Sequence, residues 1–62
     1  MTKKEIKRAE ELLDERWNIA FMDNKEEGRK PDLVFYKGML SLIEVIGCNW
    51  TREEGNHKIF NN

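Results

Sequence analysis

The sequence predicts a mainly α protein: an antiparallel helical hairpin followed by a short C-terminal β-hairpin, assembling as a homo-oligomeric helix bundle. Three observations carry this. Two stretches repeat their apolar residues at spacings of three and four, and the first opens on a capping signature. A run without any apolar residue separates them. Two short β-friendly segments around Gly55-Asn56 close the chain. The expected boundaries are a helix over 3–24, a loop over 25–31, a helix over 32–46 and a hairpin over 49–60, all within one domain, 1–62.

The first helix starts from Thr2-Lys3-Lys4-Glu5, which fits a capping box: Thr2 accepts from the Glu5 amide and Glu5 accepts from the Thr2 amide. Ile6, Ala9, Leu13, Trp17 and Ala20 then occupy an arc of roughly 80°. Phe21 widens that arc on one side, and Leu12 and Ile19 widen it on the other. The opposite face carries Lys3, Lys7, Glu10, Glu11, Asp14, Glu15 and Asn18, a pattern that reads as solvated. Charge is also ordered along the helix. Lys3, Lys4, Lys7 and Arg8 come first, then Glu10, Glu11, Asp14 and Glu15. Early lysines oppose the macrodipole, so local helix stability does not account for the order. An antiparallel neighbour would.

The connection, Asp23 to Pro31, is wholly polar apart from Gly28 and Pro31; Gly28 suits a left-handed turn and Pro31 suits a helix start. The second helix is apolar on all sides except a narrow arc at Lys37, Ser41 and Glu44. Such a helix is normally buried on most sides. Gly38 in its interior is expected to let another helix approach closely, and Gly47 to terminate it. In the hairpin, Trp50 and either Ile59 or Phe60 are the expected anchors. Leu13, Trp17, Phe35, Leu42 and Ile46 are expected to be largely buried.

A chain of 62 residues buries only about 60% of its unfolded surface, so a monomer is marginal. One cysteine excludes an internal disulfide, and one Cys with one His disfavours a structural zinc. Oligomerisation is the remaining device. The expected oligomer interface is Phe35, Tyr36, Met39, Leu40, Leu42, Ile43 and Ile46. A homodimer forming a four-helix bundle is the simplest closed form. A tetramer comes next, because Leu12 and Ile19 would still need cover.

The same counts narrow the function. Eleven basic residues against 12 acidic ones disfavour a phosphate-coating protein. No apolar run reaches membrane-spanning length, and the charged start disfavours a signal peptide, so a cytoplasmic protein is expected. His57 has no Ser or Cys partner nearby in sequence and reads as a strand residue beside a turn. Cys48 reads as a buried small hydrophobe. The four glycines are isolated, so there is no phosphate-binding loop. No catalytic, cofactor or metal residues are assigned, and no enzyme is expected.

Tyr36-Lys37-Gly38-Met39, Ile43-Glu44-Val45-Ile46-Gly47, Trp50-Thr51-Arg52 and Gly55-Asn56-His57-Lys58-Ile59-Phe60 together carry a resemblance. The second half of the chain resembles small proteins encoded by phages and prophages of Gram-positive bacteria. The resemblance implies a context in the cytoplasm of a bacterial host, where such proteins bind host proteins, including components of antiviral defence. The leading reading is therefore a non-enzymatic interaction protein that binds and inhibits or modulates a host protein. Glu10, Glu11, Asp14 and Glu15 are its candidate partner-binding residues. Two alternatives stand beside it. One is a small DNA-binding regulator using Lys3, Lys4, Lys7 and Arg8. The other is a small-molecule binder with Trp17 and Tyr36 at an oligomer interface.

Overall fold

The computed structural model describes residues 1–22 and 30–61. Two helices precede a two-stranded antiparallel sheet: α1 (Lys3–Trp17), continued by a π-helical turn (Asn18–Met22), then α2 (Lys30–Val45), β1 (Cys48–Glu53) and β2 (Asn56–Asn61). The loop expected over 25–31 lies mostly outside the described residues. Its last two positions belong to α2, which opens on Lys30-Pro31. Proline is suited to a helix's first turn, where an amide has no intrahelical acceptor.

The cap of α1 forms as the sequence implies. The Glu5 amide donates to Thr2 Oγ1 at 3.1 Å, and the Thr2 amide donates to Glu5 Oε1 at 2.7 Å. Those bonds from Thr2 hold the Glu5 carboxyl below the usual glutamate range. The π turn was not legible in the sequence. Within it Ala20 is buried, and Phe21 stacks on Trp17 with ring centroids 3.9 Å apart. Gly47 ends α2 at φ +88°, and its amide donates to the Glu44 carbonyl at 3.0 Å.

The hairpin turn is Glu54-Gly55 rather than the expected Gly55-Asn56. Both residues have positive φ, as a two-residue type I′ hairpin turn requires, and Asn56 pairs with Glu53 as the first rung of the ladder. The register continues through Arg52↔His57, Trp50↔Ile59 and Cys48↔Asn61. Alternation then sorts the side chains. Cys48, Trp50, His57 and Ile59 turn toward the helices, whereas Asn49, Thr51, Glu53, Asn56, Lys58 and Phe60 are exposed. Ile59 is therefore an anchor and Phe60 is not. Trp50 packs on the core and donates from Nε1 to Glu44 Oε2 of α2 at 3.2 Å.

The core is Leu13, Tyr36, Ile43, Cys48 and Ile59, with Ile6, Ala9, Trp17, Leu33, Met39, Leu40 and Trp50 packed around it. Leu13 is thus buried as expected. Phe35, Leu42 and Ile46 are not: each is half exposed or more. The reason is geometric. One helix and a two-stranded sheet can cover only part of α2. The part they cover is centred on Tyr36 and Ile43, so the opposite side of the helix remains outside.

Candidate functional site

Two features stand out once the elements are assembled. The first is a buried polar line joining three of them. Asp14 on α1, His57 on β2 and Tyr36 on α2 meet through bonds of 2.7 Å, from His57 Nδ1 to Asp14 Oδ1 and between Tyr36 Oη and His57 Nε2. A carboxylate only accepts, so Nδ1 carries a hydrogen and donates to Asp14; in a neutral imidazole Nε2 is then the acceptor of the Tyr36 hydroxyl. His57 is 1% exposed and enclosed by the rings of Trp17, Tyr36 and Trp50. The guanidinium of Arg52, its cross-strand neighbour, lies 3.9 Å over the Trp17 ring.

A line from carboxylate to imidazole to hydroxyl is the arrangement that activates a nucleophile when the hydroxyl faces a cleft. Here the hydroxyl is buried with His57, and Asp14 at the far end is half-buried. Burial, reinforced by Asp14 and only partly offset by Arg52, raises the Tyr36 pKa above its ordinary value, which is the direction opposite to activation. The geometry suits a lock between elements.

Glu10 and Asp14 extend the lock to the backbone. The His57 amide donates to Asp14 Oδ1 at 2.7 Å, and the Ile59 amide donates to Glu10 Oε2 at 2.8 Å. Residues four apart on a helix stand over residues two apart on a strand, so one helix turn caps two successive amides on the outer edge of β2. This revises the reading of the acidic stretch. Glu10 and Asp14 are half-buried and hold the fold, while Glu11 pairs with Arg8 at 3.5 Å in solvent. Glu11 and Glu15 are the two of the four that stay exposed. Part of the order of charge along α1 acquires a cause inside the chain: Glu10 and Asp14 of its acidic half accept from two strand amides.

The second feature is the uncovered side of α2. Of the seven residues expected at an oligomer interface, Tyr36 and Ile43 are buried in the chain's own core, and Met39 and Leu40 are half-buried against it. Phe35, Leu42 and Ile46 remain exposed. Val34 and Val45, which the sequence reading passed over, are the most open of all, at 70% and 80%. The apolar pattern of α2 covers nearly the whole circumference, so which third of the helix faces outward depended on where α1 and the sheet settle. Gly38 lies on the same open side, and a Cβ placed there would meet nothing within 4 Å. The close approach expected at Gly38 is therefore not made within the chain.

Between α1 and α2, an apolar cleft of about 210 Å³ is lined by Met1, Ala9, Leu12, Leu13, Met39, Leu42 and Ile43. That is below the roughly 300 Å³ at which small-molecule sites begin. A larger depression of about 530 Å³ runs along α1 past Lys4, Arg8 and Leu12 and is open to solvent. Trp17 and Tyr36 do meet, edge to face at 5.6 Å, and both rings border His57. Among the described residues no group of three or more His, Cys, Asp or Glu is placed to hold a metal ion, and no helix is long and apolar enough to cross a membrane. Comparison with protein-family models, with curated proteins and with solved structures finds no match.

Proposed function

We propose that this chain is a non-enzymatic protein-binding module whose working surface is the open side of α2. The observation that supports the reading most is the set Val34, Phe35, Leu42 and Val45 on α2, with Ile46 directly after it, all exposed in a protein otherwise rich in charge. Contiguous apolar surface of this kind marks a place where another macromolecule binds. The resemblance of the second half to small phage and prophage proteins makes a protein of a bacterial host, such as a component of antiviral defence, the external partner class. Binding would modulate or inhibit that protein.

Affinity capture on the immobilised full chain, read by mass spectrometry, tests this. A specific host protein is expected in the wild-type eluate and missing with Val45→Glu, a change at an exposed position that leaves the core intact. A titration with duplex DNA is the companion. Tight binding with a steep salt dependence, abolished by replacing Lys3, Lys4, Lys7 and Arg8, would overturn the proposal in favour of a DNA-binding regulator.

A further inference from the structure

We infer that one occupant of the open α2 face is a second copy of this chain, packed antiparallel about a two-fold axis beside Gly38 and Ser41. The inference rests on reading that face as the working surface and specifies what binds there. Val34, Gly38, Ser41 and Val45 are all exposed and follow one another at spacings of four, three and four, the seam of a two-helix coiled coil. The seam is self-complementary when reversed. Val34 of one copy falls opposite the partner's Val45, and Gly38 falls opposite the partner's Ser41, so each pairing occurs twice, as an isologous interface requires. The two smallest side chains meet at the centre, where helix separation is set by side-chain size.

The flanks decide the direction. On one side of the seam stand Phe35, Leu42 and Ile46, toward α1: Arg16 lies over the Phe35 ring at 4.6 Å, and Leu42 lines the cleft with Leu12. On the other side stand Lys37 and Glu44. In an antiparallel two-fold pair, apolar flank meets apolar flank and Lys37 meets the partner's Glu44. A parallel pair would lay each charged flank on the other copy's Phe35 and Leu42.

Gly38 supplies the sharpest test, because a side chain there has open space in the single chain and a partner helix in the dimer. Sedimentation equilibrium of the full chain is expected to give twice the mass of 7.4 kDa. Gly38→Met and Val45→Glu should each raise the dissociation constant at least about tenfold while circular dichroism shows the helices intact. Lys37→Glu alone should weaken the dimer up to about fivefold, and adding Glu44→Lys should restore it. A wild-type mass of one chain at the highest attainable concentration overturns the inference. So does a dimer that Gly38→Met and Val45→Glu leave unchanged. A monomer whose captured host protein is still lost on Val45→Glu overturns self-association alone and leaves the binding-module reading in place, so the two fail separately.

Discussion

His57 shows how much a single side chain can connect. It is the only histidine, and in sequence it sits two residues beyond a turn glycine with no chemical partner near it. In the fold it ties β2 to both helices through Asp14 and Tyr36. Removing one end of the line exposes what it contributes. Tyr36→Phe keeps the ring packing and leaves Nε2 of a buried imidazole without its donor, so unfolding should become easier by about 1–3 kcal/mol in a urea titration. The same variant changes the alkaline limb of stability. Tyr36 ionises at a raised pKa when folded and near 10.0 when unfolded. The stabilisation from holding the neutral phenol is therefore complete below pH 10.0 and is lost as pH rises through the folded value. Wild type should lose stability over that range, and Tyr36→Phe should lose less of it. Identical alkaline limbs would show that Tyr36 does not carry the effect.

At the scale of elements, the pairing of α1 with the outer edge of β2 is the least expected contact. A two-stranded sheet has two edges and little surface to bury, and an isolated hairpin is marginal in water. Here one helix turn supplies acceptors to successive edge amides, so the strand is paired on both sides along His57 and Ile59. Amide hydrogen exchange should show this directly. Glu10→Ala should speed exchange at Ile59, and Asp14→Ala should speed it at His57, whereas Glu10→Gln keeps an acceptor oxygen and should retain most of the protection. Asp14→Ala should be the more costly, at about 1–3 kcal/mol, because it also strips Nδ1 of its partner. Unchanged exchange at both amides in the alanine variants would mean that the carboxylates do not close the edge in solution. The wide face of α2 needs no such device against β1, since Gly47 turns the chain directly from helix into strand.

At the scale of the whole molecule, the two layers divide the apolar residues unequally. Leu13 is fully enclosed between helices and sheet, while Leu42, on the same apolar inventory, is 60% exposed. Leu13→Ala should therefore cost about 2–5 kcal/mol, the range for a closed core site. Leu42→Ala, measured in solution dilute enough to keep the chains apart, should change stability by no more than about 0.5 kcal/mol. Comparable losses at both positions in dilute solution would mean that α2 is turned differently from the orientation described. The contrast between dilute and concentrated protein also reports what covers Leu42, because burial by a second copy makes its loss concentration dependent.

Local signals in the sequence determined the elements themselves. The Thr2–Glu5 capping box starts α1, the 3.6-residue spacing runs through both helices, Gly47 stops α2, and alternation about a glycine turn makes the hairpin. Each of these acts between residues a few positions apart, so each is legible without knowing the fold. The hairpin turn was misplaced by one residue because Glu54 takes a positive φ that a non-glycine residue rarely adopts. Tertiary structure alone decided the rest. Whether Glu10 and Asp14 face water or strand amides, whether His57 is a turn residue or the centre of a buried line, and whether Tyr36 or Val34 lies inside all depend on residues 21 to 49 positions apart in some pairs and on the rotation of α2 in others. A helix that is apolar nearly all round carries no local instruction about which side to bury. That choice is made only when α1 and the sheet close on it, and the side they leave open is the side offered to a partner.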